Sequence, residues 1–537
     1  RRVHGDHRDV PAPGGAGEIE QGIKEMALSS PFPTVFECRS DPVGASSEQH
    51  GSHPSQPNPV ATFLSAGVGL SSSLIFRFPP NFVRQLSIKA RRNCSNIGVA
   101  QVVAAKWTDT FVRRSSLRSV EGDFAAPQNI IDSEPIANEL TYDSFLRSDG
   151  SLGVHAGERL GKGIATDAFT TPVVLTSAYF FEETQDVIDY KEMRAKSYEY
   201  GRYGNPTTAV LEAKMSALEG AESTVVMASG MCASTVMLMS LVPAGGHIVT
   251  TTDCYRRTRI FIEKLLPKMG ITSTVIDPAD IEGLERALKK QKVNLFFTES
   301  PTNPFLRCVD IKAFSDLCHK HGAIVCVDGT FATPINQKAL ALGADLVLHS
   351  ATKYIAGHND VLAGCVSGPT KLIEKIRELH HIIGGTLNPF AAFMIIRGIK
   401  TLHLRVKQQN STALAMAKVL EAHPKVRTVY YPGLASHPEH HIAVKQMKGF
   451  GGVVSFEIDG DIDPTIRFAD ALKIPYIAPS FGGCESIVDQ PAIMSYWDLP
   501  REGREKYGIK DNLIRFSFGI EDFDDLKNDI LAALDVV

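Results

Sequence analysis

The chain predicts an α/β protein: a large, mainly parallel sheet followed by a smaller C-terminal α/β unit. Two observations carry this reading. From Leu152 onward, short apolar runs that suit buried strands alternate with longer segments of helical spacing. The polar residues with chemical potential gather where those runs end, which is where parallel sheets bind ligands. A length of 537 residues exceeds one hydrophobic core, so more than one globular unit is expected.

Taken in order, residues 1–150 read as leader, transit-like and irregular sequence. Residues 1–25 lack methionine, and Met26 opens MALSSPFPTVFE, which reads as a start. Between Gln49 and Thr108 there is no Asp or Glu, whereas Arg77, Arg84, Lys89, Arg91, Arg92 and Lys106 are present among many Ser, Pro and Ala. That is transit-peptide composition, and its Ser content and length suit a plastid. Residues 151–205 are expected to form an arm, 206–395 a large sheet domain and 396–537 a C-terminal domain. The sheet strands are expected in VVMAS (225–229), HIVTTTD (247–253), TSTVID (272–277), NLFFTES (294–300), AIVCVDG (323–329) and Leu346–Leu348. Helices are expected in IEGLERALKKQ (281–291) and IKAFSDLCHKHG (311–322), and a helical stretch over Arg397–Leu420. GGVVSFEI, IRFSFGIE and the amphipathic DDLKNDILAALDV belong to the last unit.

Composition excludes several classes. A net charge of −4 argues against a nucleic-acid-binding protein. The nine cysteines show neither CxxC pairs nor zinc-ligand spacing, so free thiols and no metal centre are expected. No uninterrupted apolar run reaches the ~18 residues of a membrane span.

The chemistry centres on ADLVLHSATKYIAGHNDVLAG. A buried strand breaks into His349, Ser350, Ala351, Thr352 and Lys353. A lysine held in a pocket there would have its pKa lowered by desolvation, favouring Schiff-base chemistry, with the Ser350 and Thr352 hydroxyls donating to a phosphate. This combination points to pyridoxal phosphate (PLP). Gly230, in VVMASGMCAS, opens a helix whose free N–H groups suit a phosphate, although such turns are common. Asp328 ends a strand; alone it reads sooner as a turn or cap residue, but with Lys353 at the next strand end, 25 residues on, it would pair with a protonated pyridine nitrogen. Tyr255 follows another strand end and could stack on the ring or simply pack. Tyr200 and Arg202, in YEYGRYGNPT, are good phosphate ligands on an arm that would reach a neighbouring subunit.

Together YGRYGNPT, ASGM, ESPTNP, VDGTF, SATKYIAGHND and PSFGGCESI, in matching order from about residue 152 to the C-terminus, resemble the cysteine/methionine-metabolism group of PLP enzymes. These are the γ-synthases and lyases of transsulfuration, of fold type I (aspartate-aminotransferase-like). RRNCSNIGVAQVVAAKW (91–107) resembles a segment typical of the plant γ-synthases. Gly329 departs from the Asn that many relatives carry after the aspartate.

The resemblance implies that Lys353 binds PLP covalently and shuttles protons, Asp328 pairs with the ring nitrogen and Tyr255 stacks on the ring. Gly230, Met231, Ser350 and Thr352 would hold the phosphate, with Tyr200 and Arg202 from the adjacent subunit. Asn303 would lie near the cofactor and the substrate carboxylate, which Arg515 would clamp with help from Ser480. Glu485 would fit enzymes acting at the γ-carbon. Arg256, Arg257 and Arg259 are candidates for a distal substrate phosphate, with at least one of them ordinary surface charge. The implied activity is γ-replacement joining an activated homoserine, O-phosphohomoserine, to L-cysteine in the chloroplast stroma, by a tetramer of dimers with shared sites. A γ-lyase of the same fold and a non-catalytic regulatory protein are the alternatives. Arg257 stands where methionine-cleaving relatives place a cysteine, which weakens that form of lyase.

Overall fold

The computed structural model describes residues 146–158 and 168–537. The chain divides into Arg1–Gly122 and Asp123–Val537, and every described residue falls in the second unit. The expectations for the leader, the transit-like stretch and segment 91–107 lie outside the described residues.

Seven strands form the larger sheet: β1 (Ser223–Met227), β2 (His247–Thr251), β3 (Thr272–Ile276), β4 (Leu295–Glu299), β5 (Ile324–Asp328), β6 (Leu346–His349) and β7 (Gly364–Gly368). Their order is β1-β7-β6-β5-β4-β2-β3. All neighbours are parallel except at β7, which runs antiparallel to both β1 and β6. The expected parallel sheet is therefore mixed. Beyond β6 the chain makes the Lys353 turn and doubles back without a crossover helix, so the returning strand must be antiparallel.

The strands are apolar along their length because helices cover both faces. On one face Val225, Leu348 and Val366 pack against Val236 and Ile373, from helices Gly230–Leu241 and Thr370–Ile383. On the other, Phe296, Val325 and Val347 meet Leu284 and Phe314. Leu284 belongs to helix Ile281–Lys290, whose N-terminus Asp280 caps through Gly283 N–H and whose buried Leu284, Ala287 and Leu288 lie on one stripe.

The expected helical stretch over 397–420 is two helices, Pro389–Ile399 and Leu402–Glu421, broken at Lys400–Thr401. The break has a local cause. Gly398 abuts the Ala356 carbonyl so closely that a Cβ would collide with it, and Arg405, one turn into the second helix, donates to the carbonyls of Tyr354 (2.7 Å) and Gly398 (2.8 Å). Both contacts brace the turn that carries Lys353.

The smaller sheet contains β8 (Val426–Tyr430), β9 (Val453–Ile458), β10 (Tyr476–Ile477), β11 (Ile487–Asp489) and β12 (Leu513–Ser517), in the order β10-β11-β12-β9-β8. One apolar cluster joins Leu211, Tyr354 and Ile395 to Phe456 and Phe516, so the Lys353 turn and the smaller sheet share a core. Among the described residues no helix is long and apolar enough to cross a membrane.

β7 is Gly-bounded for a reason. A Cβ on Gly364 would overlap the Ser229 carbonyl, immediately before the helix opened by Gly230. Gly364→Ala is expected to destabilise the protein by about 1–3 kcal/mol through overpacking, seen as a lower denaturant midpoint. An unchanged midpoint would mean that β7 does not press on that turn.

Candidate active site

β2, β4, β5 and β6 end in polar residues, Thr251, Glu299, Asp328 and His349, on the same edge of the sheet, and beyond this edge lies a cavity of about 380 Å³. Its lining includes Gly230, Met231, Tyr255, Glu299, Asn303, Asp328, Ser350, Thr352, Lys353, Ser480 and Arg515. That volume lies in the range of small-molecule and cofactor sites.

At one end, Ser229 caps helix Gly230–Leu241 by accepting from Cys232 N–H (3.0 Å). Helix geometry leaves the Gly230 and Met231 N–H groups without intrahelical acceptors. A Cβ on Gly230 would sit 2.8 Å from the Ser350 Cβ, so only glycine lets the two turns meet. The Ser350 hydroxyl and two N–H groups thus converge on one spot that suits a phosphate. Thr352 is more committed: its hydroxyl donates to the Ala363 carbonyl (3.1 Å) and accepts from Ala363 N–H (2.9 Å).

At the other end, Asp328 accepts on one oxygen from the N–H (2.9 Å) and hydroxyl of Thr330. Thr330 in turn accepts from Ser350 N–H (2.9 Å), tying the β5 and β6 ends together. Burial pushes the Asp328 carboxyl up, against the Thr330 bonds and the nearby His349. No cation forms an ion pair with Asp328 among the described residues, and its second oxygen is left for a ligand. The His349 ring lies 3.0 Å from where a Gly329 Cβ would stand, which accounts for the small residue there.

Lys353 lies between these ends. Its amine donates to the Ser480 hydroxyl at 2.7 Å and sits 5.0 Å from the Phe481 ring centroid. Burial, and then the like charge of Arg515, lower its pKa to about 8. Ser480 adopts φ +117°, a conformation that costs a non-glycine residue about 1–3 kcal/mol. It puts the hydroxyl on Lys353 while its carbonyl accepts from Arg515 at 3.3 Å.

Arg515, from the middle of β12, is 7% exposed. It pairs with Asp489 on the neighbouring β11 (2.5 Å) and donates to the Asn303 side chain (3.1 Å). This leaves a fixed guanidinium edge beside Lys353, suited to a carboxylate. Tyr255 stands at the mouth, 44% exposed, its N–H donated to Glu299.

Five of the candidate residues lie outside this cavity, two of them, Tyr200 and Arg202, being those expected from a neighbouring subunit. Tyr200 and Arg202 lie elsewhere, with the Arg202 guanidinium 4.8 Å from the Tyr203 ring centroid and donating to the His381 carbonyl. Glu485 accepts from Asn359 (2.7 Å) and is turned away. Arg257 is exposed; its neighbour Arg256 lines the cavity instead, held by the Ser495 carbonyl and Asp498 (both 2.8 Å). Adjacent helical residues point about 100° apart, so only one of the pair can face inward. Arg259 is spent on Thr252 O and the Tyr507 ring.

Sequence reasoning missed Asp489, Thr330, Glu299 and the stacked pair Phe331 and Phe481, whose centroids are 4.2 Å apart. Thr330 was within reach: a hydroxyl two residues after a strand-end Asp is a common turn partner. The others acquire meaning only from partners distant in the chain.

Comparison with known proteins agrees with this geometry. A family model described as Cys/Met metabolism PLP-dependent enzyme matches residues 150–535. The chain is 68% identical over 549 residues to a cystathionine gamma-synthase 1, chloroplastic, of Nicotiana tabacum, covering 95% of this chain and 100% of that protein. It is 65% identical over 565 residues to the Arabidopsis thaliana protein of the same description, with the same coverage. The crystal structure of a cystathionine gamma synthase from Xanthomonas oryzae pv. oryzae, in complex with aminoacrylate and cysteine, superposes with a TM-score of 0.68 at 36% identity, covering 72% of this chain and 98% of that one.

The electrostatics give a direct test. In cofactor-free protein, the pH at which Lys353 becomes reactive to an amine-selective acylating reagent should fall near 8. It should move upward in Arg515→Gln, where the like charge is gone. An unmoved midpoint would remove Arg515 as a cause.

Proposed function

The chain belongs to the Cys/Met metabolism PLP-dependent enzyme family, and from that premise we propose that it catalyses γ-replacement, joining O-phosphohomoserine and L-cysteine to give L-cystathionine and phosphate. The observation that carries the chemistry is a single cavity in which the Lys353 amine, with a pKa near 8, lies between an uncompensated Asp328 and the Arg515 guanidinium. The two plant relatives carry the choice of reaction.

The residues present fit PLP. Gly230 and Met231 N–H groups and the Ser350 hydroxyl would hold its phosphate, Asp328 its ring nitrogen and Tyr255 its ring face, with Lys353 as the covalent attachment. Thr352 joins the phosphate set by exchanging its bond to Ala363. When bound, PLP supplies an electron sink for charge developing on the substrate carbons.

Arg515 clamps the substrate α-carboxylate, with Asn303 and Asp489 fixing the guanidinium plane. Lys353, which would also be the covalent attachment point for PLP, removes a proton from the substrate Cα and later returns one. A pKa near 8 makes it both a competent base and a competent acid near neutral pH. Ser480, already bonded to the amine, orients it. The same amine draws a second proton from Cβ as the Cγ–O bond to phosphate breaks, the cysteine sulfur bonds to Cγ with its thiol proton passing to the released phosphate, and the Cβ and Cα protons are returned to complete L-cystathionine. Arg256, the cation on the wall, receives the departing phosphate, with Arg257 outside the cavity.

The quaternary reading is part of the proposal. Residues 168–203 expose the large apolar side chains Phe169, Leu175, Phe180 and Met193, which a partner surface would cover. With Tyr200 and Arg202 off their own cavity, this arm completes the site of an adjacent subunit, in a tetramer of two such dimers. The enzyme works in the chloroplast stroma, consistent with the transit-like residues before the arm and with the relatives' description as chloroplastic.

Purified protein should form cystathionine from O-phosphohomoserine plus cysteine, with far lower turnover of O-succinylhomoserine. Lys353→Ala should abolish both this turnover and the visible absorbance of lysine-bound PLP. Rapid release of ammonia and a keto acid from cystathionine alone would make the protein a lyase. Turnover surviving in Lys353→Ala would remove the central residue from the mechanism.

A further inference from the structure

The cavity holds one carboxyl that the reaction above does not use. Glu299 ends β4, in register with Asp328 at the end of β5, and lines the cavity while only 3% exposed. No ion pair of the described residues involves it. Instead its Oε1 accepts the backbone N–H of Tyr255, while the Asn303 N–H donates to the Asp253 carbonyl (3.3 Å). Tyr255 is the N-cap of the short Arg256–Ile260 helix and has no side-chain cap bond of its own. A carboxyl from a neighbouring strand thus does for this turn what the glutamate of a capping box does within one helix.

We propose that Glu299 is a positioning residue that acts as an uncharged acid, its carbonyl oxygen holding the Tyr255 backbone so that the ring stands over the cofactor. The inference rests on the reading of Tyr255 as the ring's stacking partner. The uncharged form follows from the surroundings. Asp328 flanks Glu299 from β5, Asp253 and Cys254 follow β2, and the Tyr496 hydroxyl approaches from the segment after β11. The Asp328 and Asp253 carboxyls disfavour a second buried negative charge, the Cys254 thiol and Tyr496 hydroxyl being uncharged neighbours, and the three cations of the cavity, Lys353, Arg515 and Arg256, are engaged with Ser480, Asp489 and Asp498. Burial, and then Asp328, push the Glu299 carboxyl well up from its ordinary range. An uncharged Glu299 also leaves Asp328 as the carboxylate that meets the ring nitrogen, since two adjacent buried carboxyls do not both ionise cheaply.

Two substitutions separate this role from that of a charged catalytic group. Glu299→Gln keeps the carbonyl acceptor and loses the acid. Glu299→Asp keeps the acid and withdraws the acceptor by one methylene. In the holoenzyme, Glu299→Gln should retain kcat close to wild type and an unchanged visible circular dichroism of bound PLP. Glu299→Asp should lose about 100-fold in kcat, the scale of a misplaced site, with an altered dichroism band. Stability gives a second readout. A raised carboxyl pKa means that wild type loses stability as pH climbs from the ordinary carboxyl range through the folded value. The Gln variant lacks that loss, so it should melt above wild type at alkaline pH and converge with it at acid pH.

A Gln variant as impaired as the Asp variant would overturn the proposal, because charge would then be required. So would an Asp variant with wild-type kcat and dichroism, or a Gln variant with no alkaline gain in stability. Wild-type protein that binds no PLP would instead remove the cofactor reading, while leaving the melting comparison to report on the state of Glu299.

Discussion

The site depends on keeping the Lys353 amine away from water beside another positive charge. In water the amine would be protonated at neutral pH and useless as a base. Here the Lys353 turn is walled by Phe481 and Arg515 from the C-terminal segment, and Arg405 grips the carbonyls that follow it. The cost of enclosing two cations is offset by giving each an oriented acceptor: Ser480 for Lys353 and Asp489 for Arg515. The strained φ of Ser480 is part of that arrangement, because one residue must present its hydroxyl to one cation and its carbonyl to the other.

That requirement explains why the two sheets share a core. The Lys353 turn comes from β6 and Arg515 from β12, more than 150 residues on, so their separation is set by packing alone. The apolar cluster that runs from Tyr354 to Phe456 and Phe516 fixes it. The mixed character of the larger sheet belongs to the same economy of space. Reversing β7 brings Gly364 against the Ser229 turn and lets Gly230 touch Ser350, which unites the phosphate-facing groups of two strands.

Much of this was legible in the sequence. β1 to β6 announce themselves as apolar runs, and Gly230, Asp328 and Lys353 fall where such runs stop. β7 escaped notice because GCVSG is short and bounded by glycines that serve close approach. Glu299 and Asp489 carry no local signal: each is an acid at a strand end whose role is set by a cross-strand partner, Asp328 and Arg515. Arg256 and Arg257 are adjacent and chemically identical, so only the direction of the helix chooses between them. Glu485 illustrates the converse: five residues past Ser480, the chain has already turned outward to Asn359.

The central claim is that Asp328 and Lys353 grip opposite sides of one PLP molecule, the carboxylate holding the ring nitrogen protonated. Nitrogen NMR of isotopically labelled PLP in the holoenzyme reads this directly. A protonated ring nitrogen in wild type, lost in Asp328→Asn while Lys353 remains attached, is the predicted result. A ring nitrogen unprotonated in wild type, or unaffected by Asp328→Asn, would contradict the account.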